Sequence, residues 1–276
     1  MMNRIGKVLS WLSGILVVMI LFSILGDIVG VSFKYIDINY FLESSMSAGR
    51  KGGVYPIIVS TVVITALTVV FTVPLGLLVA IYLSKHFPKQ SAFSGYVRSM
   101  VHVLSGVPSI VFGLFGNALF CVYFGMGFSL FSGALTLSCM ALPLFISSVE
   151  KGISSIPNSI LQTTKSLGLS LYTTYRSILI PISIPSIIAG LVLSIGRALA
   201  ETAALIFTSG YVDRLPESIW DSGRTLSVHI YDLAMNVPGG DIGAYKSSFV
   251  LILLILFINS SFSIFAKAVF GKGNTV

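Results

Sequence analysis

Six stretches of this chain run apolar for about twenty residues or more: 8–29, 56–84, 98–124, 128–149, 182–208 and 247–269. A helix rises about 1.5 Å per residue, so each run can cross the roughly 30 Å of hydrocarbon in a bilayer. Inside hydrocarbon the backbone must satisfy its own hydrogen bonds, which leaves only helices or closed barrels. These runs are continuous rather than alternating, which excludes a barrel. Charged residues make up 10% of the chain, against about 25% in soluble domains. The prediction is an all-α polytopic membrane protein with six transmembrane helices. The first run follows Arg4 and Lys7, but its core is long and lacks an Ala-x-Ala site. It is read as a retained helix rather than a cleaved signal peptide.

The segments between the runs set the orientation. With the N-terminus in the cytoplasm, that side carries Arg4, Lys7, Lys85, Lys89, Arg98, Lys151, Lys165, Arg176, Lys267 and Lys272 against the single acid Glu150. The exterior carries Lys34, Arg50, Lys51, Arg214, Arg224 and Lys246 against Asp27, Asp37, Glu43, Asp213, Glu217, Asp221, Asp232 and Asp241. Basic residues therefore concentrate inside, and an even number of spans returns the C-terminus to the cytoplasm. The net charge of +7 is explained by this asymmetry, so it does not indicate a nucleic-acid partner. Cys121 and Cys139 fall in apolar runs without a CxxC spacing and read as free thiols. His86, His102 and His229 are scattered with no metal-ligand spacing.

Two hydrophilic segments are long. The exterior one, 211–245, is predicted to carry short surface helices over 219–234, either as a partner surface or as a simple connection. In the cytoplasmic segment 150–181, Pro157-Asn158-Ser159 is predicted to start and cap a helix, and Leu167-Gly168 to end it. A second amphipathic stretch, Ser170–Pro181, puts Leu171, Tyr175, Ile178 and Leu179 on one face. The pattern fits a compact cytoplasmic knob or a helix lying on the membrane surface.

The fifth run contains Arg197 and Glu201, four residues apart. Near the bilayer centre each ionisable group costs about 2.5–3.5 kcal/mol on insertion scales. An i,i+4 ion pair returns only about 0.3–0.5 kcal/mol. The pair therefore requires further compensation, from water, from polar neighbours or from a charged ligand.

Several of these stretches resemble known transport proteins. Leu161-Gln162-Thr163-Thr164-Lys165-Ser166-Leu167-Gly168, with Pro181 thirteen residues later, resembles the EAA loop of ABC importer permeases, although Gln162-Thr163-Thr164 stands where the family has Glu-Ala-Ala. Tyr55–Leu83, with Ser60-Thr61 and Pro74-Leu-Gly76, is similar to the first core helix of the phosphate-specific permeases. Gly106-Val-Pro-Ser-Ile-Val-Phe-Gly-Leu-Phe-Gly116 is similar to their third-span motif. Arg197-Ala-Leu-Ala-Glu-Thr-Ala-Ala204 resembles their Arg-Ala-x-Gly-Glu-Thr-Ala signature, with Ala200 for Gly. Leu226–Ala234 is similar to a loop of the PstA-type subunit. The resemblance covers about residues 50–270. It divides the chain into an N-terminal helix and linker, 1–50, and a permease core, 51–276.

The resemblance implies a type I ABC importer permease fold in the cell inner membrane, serving phosphate import. It implies a heterodimer with a second, homologous permease subunit, a cytoplasmic ATPase dimer docked on the loop, and an exterior phosphate-binding protein. ATP and Mg are expected on the ATPase. This chain has no Gly-x-x-x-x-Gly-Lys-Ser/Thr loop, so no cofactor is expected in it. The loop residues Gln162, Thr163, Thr164, Lys165, Leu167, Gly168 and Pro181 are the expected coupling surface. Arg197, Glu201, Thr202, Ser105 and Ser109 are the expected substrate path. There Arg197 suits a tetrahedral oxyanion through its planar donors, and Glu201 orients it and moderates its grip. The competing reading makes Arg197 and Glu201 a pair that only fixes helix packing. Likewise Ser105-Gly106-Val107-Pro108-Ser109 either loosens the third span, freeing NH groups for an anion, or permits close packing. Gly113 and Gly116 are assigned to packing. Other substrates (molybdate, sulfate, phosphonate) and a membrane-embedded enzyme are the remaining alternatives.

Overall fold

The computed structural model describes residues 2–86 and 92–270; Lys89 and Lys272, counted above as cytoplasmic, lie outside the described residues. Helix α1 (Met2–Tyr35) is a single rod whose apolar surface is exposed along most of its length. It joins the rest near its end, where the Ser32 hydroxyl donates to the Tyr245 carbonyl (3.0 Å) and Phe33 packs on Phe249. The short helix α2 (Asn39–Leu42) and the antiparallel strands β1 (Ser45–Met46) and β2 (Lys51–Gly52) lead into α3 (Tyr55–Leu83). Pro56 lies in the first turn of α3, where its missing N–H has no intrahelical partner to lose.

Helix α4 (Ala92–Ser105) meets α5 (Ser109–Gly116) at a sharp break, and α5 runs on into a π-helical segment, Asn117–Tyr123. Helix α6 (Leu130–Ser155) is the central span, more buried than any other, and starts on a side-chain cap: Ser129 Oγ accepts from the Ser132 N–H (3.1 Å). Then follow α7 (Asn158–Ser166), α8 (Leu171–Thr174), a π-helical stretch Tyr175–Leu179, α9 (Ile180–Ala200) and the one-turn helix α10 (Ala203–Ile206). Helices α11 (Leu226–Met235) and α12 (Asp241–Phe270) complete the chain.

Helices α3 and α9 pack against α6. Leu83, Phe145, Val149, Ile153 and Leu179 fill one end of this bundle, and Ile64, Leu137, Ala198, Leu205 and Val228 fill the other. The second end gathers most of the loops. Leu130 N–H donates to Asp221 O (2.9 Å), Ser129 N–H to Thr208 O (3.1 Å) and Leu226 N–H to Thr61 Oγ1 (2.9 Å). At the opposite end Arg98 binds Glu150 and the Leu83 carbonyl, and Lys85 N–H donates to Ser154 Oγ.

The six predicted runs are all helical, but two are broken. The described residues contain five helices long and apolar enough to cross a membrane, and a sixth crossing only if the α4–α5 pair, bent by 105°, counts as one. The bend falls at Gly106-Val107-Pro108. Proline has no N–H to donate and pushes the residue before it out of helical geometry. The fifth run was expected to continue to 208. Instead α9 ends at Ala200, Glu201 is extended (ψ 126°), and α10 forms separately. The second amphipathic stretch, 170–181, is not a separate helix of a knob, because Leu171–Ala200 forms one continuous span. Tyr175 and Leu179 are buried there, but Leu171 is exposed. Pro157 rather than Asn158 is the N-cap of α7, and no side chain caps that helix. Helix α11 is not a surface helix: Leu226, Val228, His229 and Leu233 are buried against α12, α3 and α10.

Candidate functional site

Arg197 lies one turn before the end of α9. Its neighbours Ala198 and Leu199 are buried, and Ala198 packs into the cluster that holds Ile64, Phe112, Leu137 and Met140. Counting about 1.5 Å per residue from the ends of α3 and α6, this level is roughly 10–15 Å inside the loop-rich end of the bundle. Arg197 itself is half-buried. Glu201 was expected beside it, one helical turn on. The helix stops between the two, so the i,i+4 geometry is lost. The Glu201 carboxylate instead accepts from the Ala204 N–H (3.1 Å) and caps α10. Its main-chain carbonyl accepts from Ser227 Oγ (2.6 Å), tying the break to α11. Among the described residues the ion pairs are Arg98–Glu150 (2.8 Å) and Arg224–Asp232 (3.1 Å). Arg197 is in neither, so no carboxylate of the described residues lies within ion-pair distance of its guanidinium. Arg197 and Glu201 therefore do not form a helix-bracing pair. Thr202 occupies the turn between α9 and α10 and is half-buried.

Helix α5 lies against α10 at a close approach. A Cβ on Gly113 would stand 2.8 Å from Ala204 Cα, and one on Gly116 would collide with the Thr136 side chain. Both glycines serve packing, as expected. Ser109 opens α5 behind Pro108, and no side chain caps that helix start. Val107 and Phe112 share the cluster of Ala198 and Leu205, so the break in the third span is joined to the break after α9. Ser105 stands apart: it is exposed, and its hydroxyl donates to the His102 carbonyl (2.7 Å). The third span does break over 105–109, the loosening that one of the two readings required.

Sequence reasoning missed a buried polar cluster at the loop-rich end. The Arg224 side chain pairs with Asp232, donates through Nε to the Tyr211 carbonyl (2.9 Å) and lies 3.2 Å from His229 Nδ1. Asn236 Nδ2 donates to Asp232 Oδ1 (2.8 Å). A Cβ on Gly49 would run into the His229 ring, so the linker after α2 closes over the cluster. Burial, and then the Arg224 charge, push the His229 pKa down to about 3. The available signal was the i,i+3 spacing of His229 and Asp232, which puts both on one face of α11.

The expected coupling residues lie on α7 and its C-terminal turn. Gln162, Thr163, Lys165 and Leu167 are exposed; Thr164 faces inward, and its hydroxyl donates to Leu161 O (2.9 Å). Gly168 adopts φ +68°, and Leu169 N–H closes back on Thr164 O (3.1 Å), the left-handed ending foreseen for it. Pro181 sits in the first turn of α9 and is exposed. Leu167 and Tyr172 are each 69% exposed beyond the end of α7. Ile160 and Leu161 anchor α7 to the cluster of Val149, Ile153 and Leu179. The result is a firmly seated knob with an apolar tip, a surface suited to docking.

Residues 72–271 match the family model described as "Binding-protein-dependent transport system inner membrane component". A probable ABC transporter permease protein, YqgI of Bacillus subtilis (strain 168), is 30% identical over 269 residues, covering 92% of this chain and 90% of that protein. A phosphate transport system permease protein PstA of Mycobacterium leprae (strain TN) is 31% identical over 223 residues, covering 80% and 73%. Among solved structures, a chain of a bacterial alginate ABC transporter superposes with a TM-score of 0.68 at 15% identity, covering 94% of each chain. A chain of the MetNI methionine ABC transporter, crystallised in inward-facing conformations, gives 0.64 at 17%, covering 78% and 95%.

Proposed function

Because the chain belongs to the family of binding-protein-dependent transport system inner membrane components, we propose that it is a permease subunit of an ATP-driven phosphate importer. The observation that carries this reading is Arg197, half-buried one turn from the end of α9, with no carboxylate among the described residues within ion-pair distance of it. A guanidinium at such a depth costs about 2.5–3.5 kcal/mol on insertion scales. A tetrahedral oxyanion would offset that cost through paired, charge-assisted hydrogen bonds. With its carboxylate turned to α10, Glu201 does not compete for those donors; it holds the break that leaves Arg197 at a helix end. Thr202 lies in that break and Ser109 at the break of the third span, which shares its apolar cluster, both as neutral polar groups, and Ser105 lies at the margin of this path. The relatives that carry the phosphate permease name support the same substrate.

In this reading the loop-rich end is exterior and receives a phosphate-binding protein. The α7 knob and both chain termini are cytoplasmic, in the inner membrane. Gln162, Thr163, Lys165, Leu167 and Gly168 meet a subunit of an ATPase dimer, which binds ATP and Mg, while Thr164 and Pro181 shape the knob from behind. A second, homologous permease subunit completes the path, and lipid covers the remaining apolar surface. The test is ATP hydrolysis by the complex reconstituted with its binding protein. Phosphate should stimulate hydrolysis several-fold while molybdate, sulfate and a phosphonate leave it at the basal rate. Stimulation by one of those anions and not by phosphate would overturn the substrate assignment.

A further inference from the structure

The end of α9 is set from outside the helix. In an unbroken helix the Glu201 carbonyl would accept from the N–H four residues on, that of Leu205. Here it accepts from the Ser227 hydroxyl (2.6 Å) in the first turn of α11. Ser227 and Thr225 are both buried, and their hydroxyls lie 3.0 Å apart. The Ser227 proton is committed to Glu201, so Thr225 is the donor of that pair, and Ser227 is satisfied as donor and as acceptor. Between them, Leu226 N–H donates to Thr61 Oγ1 (2.9 Å), whose own proton goes to the Ile57 carbonyl (2.7 Å). The start of α11 is therefore tied to α3 on one side and to the α9 break on the other. The break itself is narrow. Glu201 is extended (φ −76°, ψ 126°), but Thr202 already lies in the right-handed region (φ −116°, ψ −53°).

We infer that Ser227 is a positioning residue for Arg197: its hydroxyl holds the α9 break open and so keeps the Glu201 carboxylate away from the Arg197 guanidinium. This rests on the reading of Arg197 as the partner of the transported anion. Turning ψ of Glu201 into the helical range would return its carbonyl to Leu205 N–H and join α9 to α10. Glu201 would then stand one turn beyond Arg197, at the i,i+4 spacing where two side chains on a helix meet. Its carboxylate would occupy the donors that an oxyanion needs. The segment thus has two arrangements, one with Arg197 open to an anion and one with it neutralised, and the Ser227 hydroxyl favours the first. One hydrogen bond shifts such an equilibrium about two- to ten-fold. Because α11 belongs to the loop-rich end, a displacement of α11 reaches Arg197 through this bond.

Ser227→Ala in the purified full complex tests this. Without phosphate, the melting temperatures of Arg197→Gln, Glu201→Gln and their double variant measure the coupling of the two side chains. With Ser227 intact the two shifts should add, because no ion pair joins these residues. In the Ser227→Ala background they should depart from additivity by about 2 °C or more. Additivity in both backgrounds, or coupling already present with Ser227 intact, would overturn the inference. Uptake gives an independent reading. Ser227→Ala should lower maximal phosphate uptake by about two- to ten-fold at unchanged complex yield, and Ser227→Ala/Glu201→Gln should transport as well as Glu201→Gln alone. A serine with a purely structural role would lower the yield, and its loss would add to that of Glu201→Gln; that result would also overturn the inference. Coupling that appears in the Ser227→Ala background without any loss of uptake would support the hold on Glu201 and remove Arg197 from the transport path.

Discussion

Asp232→Asn isolates the charge that holds the loop-rich end together. The Asp232 and Arg224 side chains retain only 13% and 7% of their exposure. Removing one member of a fully buried pair typically costs about 3–5 kcal/mol, because the other charge is left uncompensated. Here the loss is smaller. Arg224 keeps its bond to the Tyr211 carbonyl, and the amide oxygen of the new asparagine can still accept from Asn236. A cost of about 2–3 kcal/mol follows. At roughly 2–4 °C per kcal/mol for a chain of this size, the purified complex should melt about 5–10 °C lower. Arg224→Met should cost a similar amount. The double variant Arg224→Met/Asp232→Leu removes both charges together and should melt above the sum of the two single losses. Thermal melting in mild detergent reads all four proteins. An unchanged melting temperature for Asp232→Asn, or strict additivity in the double variant, would refute the claim that this pair acts as a coupled, desolvated unit.

The same cluster predicts an acid sensitivity. The folded pKa of His229, about 3, lies below its unfolded value near 6.5, so the folded state resists the proton. Its contribution is complete above pH 6.5 and is lost as pH falls, at about 1.4 kcal/mol per unit. Between pH 7.5 and 5 the wild-type protein should therefore lose about 2 kcal/mol more than His229→Gln; equal losses in a melting series would count against a buried neutral imidazole. At Gly168 a side chain would meet no atom, so only the left-handed backbone limits substitution. Gly168→Val should strain the turn by about 1–2 kcal/mol and abolish co-purification of the ATPase, whereas Gly168→Asn, which tolerates that conformation, should retain it. Normal ATPase recovery with valine would remove this turn from the docking surface.

Helical crossings were legible in the sequence because long apolar runs have few physical solutions. Gly168 was legible for a similar reason, since a glycine after a short helix supplies the left-handed cap. The two breaks were harder to read. Pro108 marked a weakness in the third span, but prolines also sit inside intact helices here, at Pro74 and Pro143. The 105° bend depends on how α5 seats against α10 through Gly113. The end of α9 was hidden because Glu201 and Thr202 interrupt an apolar run without a glycine or proline. What stops the helix is the Glu201 carboxylate capping α10 and Ser227 holding the Glu201 carbonyl, and Ser227 is 26 residues away. The His229 cluster is likewise tertiary. Its members are polar residues in what reads as a surface loop, and only the closure of α11 against α3 and α12 buries them.

The central claim is that Arg197 serves the transported anion rather than the packing of the bundle. Its most direct test is phosphate uptake by Arg197→Gln, measured in proteoliposomes together with the yield and melting temperature of the assembled complex. Glutamine keeps hydrogen-bonding capacity but loses the charge, and no ion pair among the described residues is broken by the change. Uptake should fall by at least ten-fold while yield and melting temperature stay at wild-type values. Wild-type uptake from a fully assembled Arg197→Gln complex, or a loss of assembly in proportion to the loss of transport, would contradict the claim.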